Sequence, residues 1–97
     1  MSHDLSAAQQ LLGGYLHQDW PDEFADVDAV IDAMIDGEPA EQRRAAAAEL
    51  RALVEAEPED AALRDVLMNE AGCFYDPVAD GRTDREWITE LADRLSA

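Results

Sequence analysis

The chain predicts an all-α fold, a small single-domain bundle of about five helices. Apolar residues recur at three- and four-residue spacing along most of its length, proline and glycine punctuate that pattern at helix-sized intervals, and no segment alternates in the manner of a strand. Its 97 residues suit one domain, residues 1–97, with a single modest core. Hydrophobic residues at 47% argue for a folded globule, and 31% charged residues for a well-solvated surface.

In the first helix Leu5, Ala8, Leu11, Leu12, Tyr15 and Leu16 share a face, and Pro21 stops any helix at or near Trp20. Gly13 and Gly14 weaken it by about 1 kcal/mol each relative to alanine, so a small side chain is needed there, most simply because another helix lies close. The second helix, about Asp26 to Asp36, buries Val27, Val30, Ile31, Met34 and Ile35 and stops at Gly37, which suits a left-handed turn. The third, from about Pro39 to Glu57, buries Ala46, Ala47, Leu50, Leu53 and Val54, and its run Ala45 to Ala48 lets a neighbour approach closely. The fourth, from about Pro58 to Ala71, buries Leu63, Val66 and Leu67 and ends at Gly72. After an aromatic loop, Thr83 and Glu86 form a Thr-x-x-Glu capping box that opens a last helix with Trp87, Ile88, Leu91 and Leu95 inward.

Charge is distributed unevenly. The formal net charge is -16, and residues 1 to 42 hold ten acids and no arginine, whereas the remainder holds thirteen acids and all seven arginines. Acids and bases in the later helices suit ordinary surface pairing, as with Arg51 and Glu55 one turn apart. On the second helix Asp28, Asp32 and Asp36 form an outward stripe whose like-charge neighbours cost a few tenths of a kcal/mol each. Asp36 also opposes the helix dipole. Such a field steers a basic protein toward the surface. It also keeps a protein soluble, and composition alone does not separate the two. A polyanion is repelled, so nucleic-acid binding is disfavoured, although an acidic helix can mimic nucleic acid in a cleft built for phosphates.

Little points to catalysis. His17 and Asp19, with Cys73 or Asp76 elsewhere, supply the residue types for a nucleophile and its base, but His17 and Asp19 are two apart and do not face each other on a helix. The simpler reading is that imidazole, carboxylate and indole satisfy one another or backbone groups where helices meet. Cys73 has no lysine or histidine beside it in sequence to lower its pKa and reads as a small buried residue, while Asp76-Pro77 starts a turn. One cysteine allows no internal disulfide, and two histidines without ligand spacing argue against a zinc site. Gly13-Gly14 lacks the strand and lysine of a phosphate loop. His3 belongs to the terminus. No secretory signal or membrane span is evident, so a cytoplasmic protein is expected.

Two separated segments carry a specific likeness. Gly13-Gly14-Tyr15-Leu16-His17-Gln18-Asp19-Trp20, and later Gly72-Cys73-Phe74-Tyr75-Asp76-Pro77 with Gly81-Arg82-Thr83-Asp84-Arg85-Glu86-Trp87, resemble in order and spacing the motifs of the contact-dependent growth inhibition immunity proteins. Leu16 stands where that family usually has an aromatic. The resemblance covers nearly the whole chain, though between Pro21 and Ala71 it rests on helix lengths and acidity. It implies a non-enzymatic immunity protein, without cofactor or metal, whose partner is the C-terminal toxin domain of a cognate effector. Many such toxins are nucleases with basic clefts, so the acidity gains a purpose.

On that footing Asp22, Glu23, Asp26, Asp28, Asp32 and Asp36 are the expected partner-binding residues. The exposed edge of the Tyr15–Trp20 or Cys73–Pro77 loops is expected to add apolar anchors. Tyr15, His17, Gln18, Asp19, Trp20, Cys73, Tyr75, Asp76, Pro77 and Trp87 are family-motif residues with expected structural roles. The alternatives are an acidic helical adaptor and a nucleic-acid mimic that inhibits another basic protein.

Overall fold

In the computed structural model, which describes residues 4–57 and 59–97, all regular structure is helical. The elements are α1 (Ser6–Tyr15), α2 (Trp20–Glu23), α3 (Val27–Gly37), α4 (Ala40–Ala56), α5 (Asp60–Asn69), a 3-10 turn (Pro77–Asp80) and α6 (Asp84–Ser96). Five of the helices match the predicted ones. Pro58 and His3 lie outside the described residues.

The sixth helix, α2, corrects the reading of Pro21. The first helix ends at Tyr15, well before the proline, and Pro21 opens a separate four-residue turn. Proline is tolerated in a first turn because its missing N–H has no helical acceptor there anyway.

At the centre, α4 and α6 run antiparallel and form the most extensive contact, with α1 also packed against α4. Each of the central pair has its end closed by the other. Arg85 at the start of α6 donates to the carbonyls of Val54 and Glu57 at 3.1 and 2.7 Å, and Arg43 at the start of α4 donates to the carbonyl of Leu95 at 3.2 Å. Carbonyls of a last helical turn lack intrahelical partners and carry partial negative charge, so a guanidinium suits them.

The opposite problem at the start of α1 is solved from a distance. Its N-cap residue is Leu5, which has no capping side chain. Instead Glu49 of α4 accepts from the N–H groups of Ala7 and Ala8 at 3.2 and 2.8 Å. Two orphan amides and the positive helix end are thereby met by one carboxylate.

The core joins all these elements: Leu11, Leu12 and Leu16 from α1 and its exit, Val30 and Met34 from α3, Leu50 from α4, Leu63 from α5, and Trp87, Ile88, Leu91 and Leu95 from α6 are all buried. Thr83 and Glu86 form the predicted capping box, each side chain accepting from the other's backbone N–H at 3.1 and 3.0 Å.

Three local expectations fail for tertiary reasons. Gly37 is not left-handed; only Gly72 and Gly81 have positive φ among the described residues. What position 37 requires is space, since an added Cβ would lie 2.8 Å from the Tyr15 hydroxyl. Gly13 does sit against a neighbour, but that neighbour is the turn after α5: an added Cβ would lie 3.2 Å from the Ala71 carbonyl oxygen. An added Cβ at Gly14 would meet no other part of the fold within 4 Å. Finally, Arg51 pairs with Asp93 of α6 at 3.0 Å, across the helix interface, and not with Glu55 on its own helix.

Candidate functional site

The two motif segments, far apart in sequence, meet. Gly72, left-handed at φ +72°, turns the chain out of α5 so close to α1 that its own added Cβ would lie 3.3 Å from the Gly13 Cα. The Phe74 N–H then donates to the Leu16 carbonyl at 2.8 Å. Beyond this backbone tether, the Trp20 and Tyr75 rings meet edge to face at 5.8 Å between centroids, and Tyr75 packs on Trp87 at 4.9 Å. Trp20, Tyr75 and Trp87 thus form an aromatic column from the partly exposed Trp20 to the buried Trp87. Offset and edge contacts of this kind contribute about 0.5–1.5 kcal/mol each beyond burial. The indole N–H of Trp87 is buried without a hydrogen-bond partner among the described residues.

Side chains alternate along the loop that follows. Cys73 and Tyr75 point inward, Phe74 is exposed, and Asp76 with Pro77 starts the 3-10 turn, the Asp76 carboxylate accepting from the Val78 N–H at 3.0 Å. Asp76 is also bound by the Arg64 guanidinium, which holds its carboxyl below the usual range. Tyr75 donates its hydroxyl to Asp80; burial first, and then that carboxylate, push the phenol well above its ordinary value. Asp84, at the start of α6, is buried 3.9 Å from Arg64, and desolvation raises its pKa.

The candidate nucleophile is buried. Burial pushes the Cys73 thiol up to about 12, so it carries a proton at neutral pH, and the amide of Tyr75 is its hydrogen-bond donor. Although the loops of His17 and Cys73 lie side by side, the imidazole is occupied otherwise. Its Nδ1 accepts from the Asp19 N–H at 3.1 Å, and its Nε2 lies 2.9 Å from the Glu23 carboxylate. The ring therefore bridges the exit of α1 to the end of α2, with Glu23 and not Asp19 as its carboxylate partner. Gln18 and Asp19 are exposed, and Tyr15 donates to Glu38 at 3.0 Å.

All six predicted partner-binding acids are exposed on α2, α3 and the link between them. Asp26 also has structural work, accepting from the Ala29 N–H at 2.9 Å as the N-cap of α3. The aspartate stripe is not free of cations, as the sequence implies. Arg94 of α6 reaches across to Asp28 at 3.3 Å and Asp32 at 2.8 Å. No hydrogen bond or ion pair reaches the carboxylate of Asp22 or of Asp36 among the described residues. Arg94 follows no local pattern: it lies 62 residues from Asp32, and only the packing of α6 discloses the pair.

Arginine use explains why the face stays acidic. Arg43 and Arg85 bind carbonyls, Arg51, Arg64, Arg82 and Arg94 bind carboxylates, and the guanidinium of Arg44 alone among the seven has no such partner among the described residues. The cations are consumed in closing helix ends and joining elements. Among the described residues, Arg94 is the one arginine paired with any of the six acids on α2, α3 and the link between them, and it reaches two of them.

Among the described residues, no group of three or more histidine, cysteine or acidic side chains could hold a metal ion, and no helix is long and apolar enough to cross a membrane.

Residues 4–95 match the profile of a family described as CdiI immunity protein. The fold is similar to a chain of the crystal structure of the CdiA-CT/CdiI complex from Y. kristensenii, with a TM-score of 0.85 and 26% sequence identity over 94% of this chain and 97% of that one. No curated protein matches the chain.

Proposed function

The chain belongs to the CdiI immunity protein family, and from that membership we propose that it neutralises a toxin by binding it, without chemistry of its own. The observation that carries this reading is the match over residues 4–95. The crystal structure to which the fold is similar is of a CdiA-CT/CdiI complex, and this supports a protein partner of the CdiA C-terminal class.

The exposed acids Asp22, Glu23, Asp26, Asp28, Asp32 and Asp36 supply the attraction, and the partner surface they suit is basic, such as a nuclease cleft that binds phosphates. In such a cleft a protein carboxylate takes the place of a phosphate. The protonated Cys73 and the engaged His17 are consistent with a non-enzymatic role. The protein acts where its toxin would otherwise act, in the cytoplasm.

Co-expression with the C-terminal toxin domain of a cognate effector tests the reading. Growth is expected to be rescued and a stoichiometric complex to co-purify. Growth arrest despite abundant folded protein refutes it.

A further inference from the structure

Among the described residues the large hydrophobic side chains left most exposed are Met68, Phe74 and Val78, at 39%, 46% and 61%. Singly exposed apolar residues are common and need no explanation. Phe74 differs because the fold fixes the backbone that presents it. The preceding residue donates its N–H to the Leu67 carbonyl at 2.9 Å, Phe74 itself donates to Leu16, and Asp76 is held by Arg64. The side chains on either side, Cys73 and Tyr75, are buried, so the alternation of an extended segment turns Phe74 outward. An anchor already held in place loses little conformational entropy when a partner covers it.

The surroundings of this anchor are anionic. Glu23 is joined through His17 to the same α1 exit that tethers Phe74, Asp80 binds the hydroxyl of the next residue, and Trp20, on the same short helix as Glu23, packs on the ring of that residue. The acidic face and the aromatic loop, separate in sequence, therefore adjoin.

We propose that Phe74 is the apolar anchor of the toxin interface, inserting into a cleft of the toxin domain whose walls carry arginine or lysine, with Glu23 and Asp80 facing those cations. The proposal rests on the toxin-binding reading and deepens it by naming the partner's chemistry. An apolar floor ringed by cations complements this surface, and a guanidinium laid on the phenyl face adds a favourable contact. Central aromatic anchors govern dissociation, whereas rim charges govern association.

The test is binding kinetics of the purified protein with the cognate toxin domain, comparing the wild type with Phe74→Ala, Phe74→Glu and the double charge reversal Asp28→Lys, Asp32→Lys. Circular dichroism confirms that the variants fold. Phe74→Ala is expected to raise the dissociation rate at least about tenfold with an association rate within about twofold of wild type. Phe74→Glu, which adds negative charge while removing the ring, is expected to associate at least as fast and dissociate faster still. Wild-type dissociation in both Phe74 variants, with slowed association in the charge reversal, overturns the anchor and leaves the toxin-binding reading standing. Absence of binding by the wild-type protein overturns both.

Discussion

Arg94 gives a prediction whose sign depends on the tertiary structure. Its guanidinium lies 3.3 Å from Asp28 and 2.8 Å from Asp32, where a partner's cation would otherwise sit. Removing it unmasks one net negative charge on the proposed contact face. If six acids share an overall steering factor of up to about 1,000-fold, each charge accounts for about threefold in association rate. Arg94→Ala is therefore expected to bind the toxin domain about threefold faster at low salt, and Arg94→Glu, a change of two charges, about tenfold faster. The effect should fade near 1 M salt, where the Debye length is about 3 Å. The fold tolerates the change because exposed ion pairs contribute about 0.2–1 kcal/mol, while α6 is held by the buried Trp87, Ile88, Leu91 and Leu95. Stopped-flow mixing over a salt series measures this. Slower association of Arg94→Ala refutes the reasoning, since Arg94 would then itself be reaching for the partner. An unchanged rate without salt dependence removes α3 from the encounter surface.

Three predictions concern the fold. Glu49→Ala should destabilise by about 1–2 kcal/mol in denaturant titration, because two amides of α1 lose their only capping acceptor, and Glu49→Gln should recover part of this; wild-type stability for Glu49→Ala contradicts the long-range cap. Trp87→Ala should cost about 3–5 kcal/mol, and Trp20→Ala, only partly buried, clearly less; equal costs contradict the assigned burial. Desolvation raises the Asp84 pKa above its unfolded value, so protonation favours the folded state and that contribution is lost as pH rises through the raised pKa. Asp84→Asn should consequently be more stable than wild type at neutral pH, with the gap closing as pH falls into the ordinary carboxylate range; a gap that widens on acidification reverses the assigned sign.

The sequence by itself determined five of the six helices, their order and several of their ends. Apolar spacing and capping are local: Thr83 and Glu86 are three residues apart and satisfy each other's amides without help from the rest of the chain. The family was legible for a related reason. Gly72, Cys73, Tyr75, Asp76 and Trp87 each meet a strict local or packing demand, and such demands leave a readable pattern at fixed spacing.

Only the tertiary structure decided which residues separated by tens of positions come into contact. That Gly37 makes room for Tyr15, that Glu49 caps α1, and that Arg94 masks two of the three stripe aspartates follow from helix packing angles and side-chain reach, and neither quantity has a period in the sequence. Phe74 illustrates the division. Its neighbours in the chain marked the loop, but its outward orientation depends on a backbone hydrogen bond to Leu16, formed only when α1 and the end of α5 are packed together.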